Sequence, residues 1–191
     1  MILKKAMRSI FYTLFAFIIL SSPTISHAAS RQPWVLVDTQ NIVLTVFSAD
    51  DHVIARFRNI AIGSGGTTEE HRRGDDTTPL GTFHVAWINR HSRFGTFFGL
   101  DYPTSGLAIR AYAKGNITGA EFDAIIDAFR QHRIPPQNTS LGGQMGIHGL
   151  GSGNLRVQQS VDWTDGCIAV TNREIRSLSR WVHVGTKVVI R

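Results

Sequence analysis

The 191-residue chain has a single cysteine, Cys167, so no internal disulfide can hold its fold together. It also lacks an apolar run of the ~18 or more residues that a transmembrane helix needs. The longest run, Ile10 to Leu20, is broken only by Thr13; as a helix it spans about 16 Å, against about 30 Å of hydrocarbon. No dense Lys/Arg tract or basic patch interleaved with aromatics points to nucleic acid. His71, His84, His91, His132 and His183 form no His-Glu-x-x-His pattern and no close pairing with carboxylates, so no metal is expected. The chain has no internal repeat or low-complexity tract. With 18 glycines and 6 prolines it is neither collagen-like nor disordered in composition.

Among the features present, the first 28 residues stand apart. Lys4, Lys5 and Arg8 precede the apolar run, and Ser26-His27-Ala28 places small residues at the −3 and −1 positions of a cleavage site. This three-part pattern predicts a secretory signal peptide cut near Ala28, hence a periplasmic or cell-envelope location with no membrane span left after cleavage. Removing it takes three positive charges and no acid, lowering the formal charge from +6 to +3. That mild basicity suits contact with acidic polymers without naming one. A lone cysteine in an oxidising compartment reads either as a reactive thiol or as an inert buried one.

Residues 29–191 read as one mainly β domain. Trp34 to Val37, Ile42 to Phe47, Val53 to Ile62 and Phe83 to Ile88 are rich in β-branched and aromatic residues and are separated by turn-forming clusters. Residues 63–76 read as a long surface loop. Residues 118–133 read as an inserted amphipathic helix: Thr118 and Glu121 form a capping box, and Phe122, Ile125, Ile126 and Phe129 share one face. Thr171 and Glu174 open a second, short helix carrying Ile175, Leu178 and Val182, and Lys187 to Ile190 is a last strand.

The chemistry concentrates between Gly146 and Thr171. A cysteine attacks as thiolate, and with an unperturbed pKa of about 8.5 it needs a base within reach. His148 supplies the side chain suited to that task. Gly149 permits close approach of a neighbouring strand or of substrate backbone, and Gly166 does so immediately before the thiol. The amides of Gly166 and Cys167 are candidates for the oxyanion of a tetrahedral intermediate. Trp163 is a candidate wall of the cleft, and Thr164 a further substrate contact. Arg156 is one of six arginines, with Arg72, Arg73, Arg90, Arg93 and Arg110, that are candidates to anchor a carboxylate.

The order His148-Gly149, residues 149–163 as spacer, then Thr164-Asp165-Gly166-Cys167 resembles the signature of the L,D-transpeptidase (YkuD-like) catalytic domain. The resemblance covers nearly all of residues 33–191, including Thr78-Pro79-Leu80-Gly81-Thr82-Phe83 and the final Gly185-Thr186-Lys187-Val188. It implies a β-sandwich of mixed sheets with Cys167 at the mouth of a cleft. It also implies attack on the L-to-D amide of a peptidoglycan tetrapeptide stem, a thioester, and release of D-alanine. The acyl group then passes to a diaminopimelate amine, to the lysine of a wall-linked lipoprotein, or to water, without metal or cofactor. In that scheme Cys167 is the nucleophile and His148 the base.

Two positions depart from the family pattern. Asp165 stands where the family has a second histidine, and Ala169 where it often has arginine or asparagine. A carboxylate beside the thiol disfavours the thiolate, unless Asp165 orients an imidazole instead. These departures leave three readings open: transpeptidation, a hydrolytic variant (carboxypeptidase or peptidoglycan–lipoprotein hydrolase), and a wall-binding domain with a dead site. A papain-like endopeptidase fits less well, because its cysteine precedes its histidine and only His183 follows Cys167.

Overall fold

The computed structural model describes residues 32–191. The expected signal peptide, residues 1–28, lies outside the described residues.

Strands β1 (Trp34–Asp38), β2 (Val43–Phe47) and β3 (Val53–Arg58) form the antiparallel meander expected from their β-branched and aromatic residues and the turn clusters between them. Asp51 and Asn59 adopt left-handed backbone where the chain turns, and Asn59 ends β3 earlier than the apolar run through Ile62 suggests. A two-residue ribbon of β4 (Thr67–Thr68) and β5 (Thr78–Pro79) closes the long loop of residues 63–77. β6 (Gly81–Ser92) and β7 (Gly95–Leu100) then form a hairpin. Helices α1 (Ser105–Ala113) and α2 (Gly119–Arg130) follow. Then come β8 (Gly146–His148), α3 (Leu155–Ser160), β9 (Ile168–Ala169), α4 (Asn172–Leu178) and β10 (Lys187–Ile190).

The eight longer-range strands make one mixed sheet in the order β3-β2-β1-β10-β6-β7-β8-β9. β1–β10 and β8–β9 are parallel, and the other pairings are antiparallel. The twelve-residue β6 joins the two halves: Gly81 to His84 pair with β10, and Val85 to Ser92 pair with β7. Register shifts along β6 mark where it bends. The mainly β, mixed-sheet class expected from sequence is the class observed. One core joins the halves. Val35, Val37, Leu44 and Val46 from the first, and Phe98, Leu100, Ile147 and Ile168 from the second, pack together with Leu107, Ile125, Ile175 and Leu178 of the helices. Fully burying each such side chain contributes about 1.5–3 kcal/mol before chain entropy is set against it.

Both capping boxes are present, with each Thr hydroxyl accepting from the Glu backbone amide and each Glu carboxylate accepting from the Thr backbone amide. Glu121 does more than cap: its other carboxylate oxygen accepts from the amide (2.6 Å) and hydroxyl (2.9 Å) of Ser140. It thereby ties α2 to the segment that leads into β8. On the face expected for α2, Ile125 is fully buried, while Phe122, Ile126 and Phe129 are half-buried. Val182 is buried, but α4 ends before it at the cap Ser179.

The loop of residues 63–77 is tied down from inside. His71 is buried, and its Nδ1 lies 2.6 Å from Asp75 Oδ1. The Tyr102 hydroxyl bridges the carbonyls of His71 (3.0 Å) and Leu141 (2.9 Å). Burial lowers the pKa of His71, against the opposing pull of Asp75. The pair is thus a neutral imidazole donating to a carboxylate.

Candidate active site

β8 and β9 lie side by side in parallel, with Ile147 opposite Ile168 and His148 opposite Ala169. Side chains alternate along a strand, so Ile147 and Ile168 enter the core while His148 faces the other side. Cys167, one residue before β9, falls on the same side as His148. At Gly146, opposite Cys167, a Cβ would come within 2.6 Å of the Phe97 ring and of the Phe98 carbonyl oxygen. Both Cys167 and His148 line one cleft of about 650 Å³.

The imidazole is held in a defined state. His148 Nδ1 lies 2.7 Å from the Gly149 carbonyl oxygen. A carbonyl only accepts, so Nδ1 carries the proton and Nε2 keeps its lone pair. Phe94 stacks on the ring at 4.2 Å, Phe97 lies nearly parallel at 6.0 Å, and Trp163 meets it edge-on at 5.9 Å. Burial in this aromatic box lowers the pKa of His148; the Gly149 carbonyl raises it and the Arg93 charge lowers it further. The ring is therefore a neutral base at neutral pH.

The thiol is also neutral. Cys167 is half-buried as a residue, and its Sγ donates to the Gln144 carbonyl at 3.3 Å rather than to the imidazole. Burial pushes the thiol up to about 12; a backbone hydrogen bond at Gly146 opposes this, and the charge of Asp165 adds to it. The site holds a neutral thiol and a neutral imidazole in one cleft, not a preformed thiolate–imidazolium pair.

The remaining sequence-nominated residues fall into distinct places. Thr164 is buried and braces the turn before the sulfur, its hydroxyl donating to the Cys167 carbonyl (2.7 Å) and accepting from the Gly166 amide (3.2 Å). The Gly166 amide is thus already engaged, which leaves the Cys167 amide as the remaining oxyanion candidate. Gly166 has φ +119, and a Cβ there would sit 2.6 Å from the Thr77 carbonyl oxygen. Its own carbonyl accepts from Thr78 Oγ1, a contact not anticipated from sequence.

Gly149 does not line the cleft. A Cβ there would meet the Phe94 carbonyl oxygen at 2.7 Å and Asn172 Oδ1 at 2.8 Å, so its smallness serves packing, and its carbonyl orients His148. Trp163 is half-buried in the cleft wall, with its indole N–H donating to Gln158 Oε1 at 2.9 Å. Asp165 is exposed at the cleft and is not a partner of His148; the orienting role expected of it belongs to Gly149 O. Arg156 lies on α3, outside the cleft. The cation lining the cleft is Arg93, at the tip of the β6–β7 hairpin, with its guanidinium 4.6 Å from the Phe94 ring centre.

Sequence reasoning left Phe94 and Phe97 unassigned, because nothing local to Phe94-Gly95-Thr96-Phe97 says that the hairpin folds over a histidine some fifty residues later. The loop of residues 63–77 does not cover the cleft. Its residues His71, Arg73 and Asp76 wall a second cavity of about 290 Å³ that shares Gly143, Met145 and Asp165 with the first. Among the described residues, no group of three or more His, Cys, Asp or Glu is placed to hold a metal ion. No helix of the described residues is long and apolar enough to cross a membrane.

The family model for the YkuD L,D-transpeptidase catalytic domain matches residues 32–190. Among solved structures, the chain is similar to the helical cell shape determining protein Pgp2 from Campylobacter jejuni. The identity is 20% and the TM-score 0.55, over 84% of this chain and 47% of that one. It is also similar to Bd1075 from Bdellovibrio bacteriovorus, at 17% identity and TM-score 0.50, over 84% of this chain and 48% of that one. The chain thus spans about half the length of these structures. Comparison with curated proteins finds no match.

Proposed function

Since the chain belongs to the L,D-transpeptidase catalytic-domain family, we propose that it is an exported enzyme that processes peptidoglycan stem peptides through a thioester on Cys167. The observation that carries this reading is the lone pair of His148 Nε2, held by the Nδ1–Gly149 hydrogen bond on the cleft face that also bears the sulfur. Export rests on the signal-like pattern of residues 1–28, which implies a periplasmic mature protein.

The steps follow from the two neutral groups. As Sγ attacks the carbonyl carbon of the scissile amide, its proton passes to Nε2 and the carbonyl oxygen becomes an oxyanion facing the Cys167 amide. Collapse breaks the C–N bond, and the proton on Nε2 goes to the departing amine. An amine or a water then attacks the thioester and gives a proton to Nε2, and the sulfur leaves and is reprotonated. An amine acceptor gives transpeptidation, and water gives hydrolysis. No cofactor enters this scheme. The partner is the stem peptide, with a wall-linked lipoprotein as one candidate amine source.

One observation favours a second reading, a wall-binding domain without turnover: the Cys167 sulfur donates to the Gln144 carbonyl rather than to the imidazole, and burial together with Asp165 disfavours its thiolate. Incubating the mature protein with a carbapenem, which acylates the cysteine of this family, followed by intact mass, separates the two. The proposal expects one drug mass on wild type and none on Cys167→Ala. It also expects loss of several orders of magnitude in turnover of a tetrapeptide stem in Cys167→Ala with sacculus binding retained. Unmodified wild type with no turnover would leave the binding domain as the better description.

A further inference from the structure

Strand β3 stands at one end of the sheet order and, among the described residues, pairs with β2 alone. Its other side is an open edge, a row of backbone N–H and C=O groups turned to solvent. No other backbone group of the described residues bonds to Ala55 through Arg58. Both ends of this edge are marked. Ile54 bulges out of the pairing, between Val46 opposite Ala55 and Phe47 opposite Val53. Beyond Asn59 the chain is covered again, where Ala61 pairs with Ala169 of β9. The open edge is thus residues 55–58, room for one short extended segment.

The side chains along it alternate in chemistry. Ala55 and Phe57 pack against the rim of the core and are only half-buried. Arg56 and Arg58 lie on the other face, opposite Thr45 and Val43, and both are exposed. Two positions apart on a strand, they stand about 7 Å from one another. With Arg191 they line a groove of about 380 Å³ on the outer face of the sheet. Asp38 is the one acid lining that groove. Its carboxylate already accepts from the amide and side chain of Asn41, at 3.0 Å each, and feels the Arg191 charge. Among the described residues Arg56 and Arg58 take part in no salt bridge. The edge therefore presents two cations without counter-ions.

These observations select the occupant. Unpaired main-chain groups recognise another main chain, so the ligand is a polypeptide rather than a glycan or a lipid surface. A second copy of this chain does not fit. Pairing β3 with β3 about Phe57 would set Arg56 against Arg58 twice, and like charges directly opposite destabilise. Acidic residues at alternate positions do fit, with an apolar residue between them to extend the rim over Phe57. We propose that β3 is a docking edge for an acidic strand of a partner protein. The strand carries acid–apolar–acid at successive positions; its main chain extends the sheet and its carboxylates meet Arg56 and Arg58. This goes beyond the acyl-enzyme reading and is independent of it, since the groove shares no residue with the cleft of Cys167 and His148.

The test titrates the mature protein into a fluorescently labelled, end-blocked short peptide that alternates glutamate and valine, and reads anisotropy. Saturable binding is expected, weaker as salt rises. Two cross-strand ion pairs are together worth about 2- to 30-fold, so Arg56→Gln combined with Arg58→Gln should weaken binding by that factor. The lysine–valine counterpart should not bind. Main-chain pairing uses every second amide of the added strand. N-methylation of one alternate set should therefore abolish binding, and of the other set leave it. Hydrogen exchange of the β3 amides that β2 leaves unbonded should slow in the complex. Both arginines are exposed, and thermal melts coincident with wild type verify that the double variant is folded. Equal binding by the double variant, or indifference to both N-methylation sets, would overturn the proposal; the second outcome would mean that the arginines gather any acidic chain by charge alone. Binding of phosphatidylglycerol vesicles or of an oligogalacturonate, with none of the peptide, would overturn it too. None of these readouts involves turnover, so failure here leaves the acyl-enzyme reading standing, and an unreactive Cys167 leaves this one standing.

Discussion

If Cys167 and His148 are both neutral at rest, the thiol should be nearly inert to a neutral alkylating agent despite facing a cleft. Alkylation proceeds through the thiolate, whose fraction falls tenfold for each unit the pKa rises above the pH. Burial and Asp165 push the thiol up to about 12, which leaves it on the order of 1000-fold less ionised at pH 7.5 than an ordinary cysteine. Partial exposure of the residue moderates this; half the shift still gives about 30-fold. The perturbation is pH itself, stepped from 6 to 10. The assay is the rate of iodoacetamide addition followed by intact mass, with the same protein unfolded in urea as reference. The folded protein should react about 30- to 1000-fold more slowly than the unfolded one at pH 7.5. Its log rate should climb with unit slope to pH 10 without a plateau. A plateau below pH 7, at a rate equal to or above the reference, would mean a thiolate already stabilised by an imidazolium. The general-base route argued above would then be wrong. Asp165→Asn should raise the folded rate a few-fold, because it removes one of the charges that disfavour the thiolate.

Two further outcomes bear on the frame around the site. Gly166→Ala puts a Cβ 2.6 Å from the Thr77 carbonyl at φ +119; it should cost about 2 kcal/mol or more of stability in urea unfolding, and an unchanged midpoint would contradict the geometry. Glu121→Gln should weaken the α2 cap and its tie to Ser140 by about 1 kcal/mol, discounted for partial exposure. Hydrogen bonds to its carboxylate hold Glu121 down to about 2, against an ordinary 4.5. Its contribution is therefore complete above pH 4.5 and lost as pH falls towards 2, so wild type and variant should converge in thermal stability across that window and differ most near pH 6.

What the sequence disclosed and what it withheld divide along one physical line. Features set by neighbours in the chain were legible: both capping boxes, the β1–β3 meander with its turn at Asp51, and the glycine before the sulfur. So was the placement of His148 and Cys167 on one cleft, because the lone cysteine and the His-Gly to Gly-Cys spacing pointed to it. Helix α1 was not legible: Asp101-Tyr102-Pro103 reads as a turn, and only the hydroxyl of Thr104, accepting from Leu107 N, caps a helix there. α3 was hidden because Leu155 and Val157 are exposed, which leaves it no apolar face to announce it. Asp165 and Ala169 were visible as departures, yet the group that orients the base and the cation that lines the cleft were not. Gly149 O, rather than an acid, orients the imidazole through a backbone contact that any residue type allows. The cation comes from Arg93, whose position depends on the register of β7 against β8, where Phe97 pairs with His148. A one-residue slip there would turn Phe97 away from the imidazole and carry the hairpin tip off the cleft. The charge complement of the cleft is thus a property of strand pairing across the second half of the sheet. A search for a replacement confined to positions near Cys167 could not have found it.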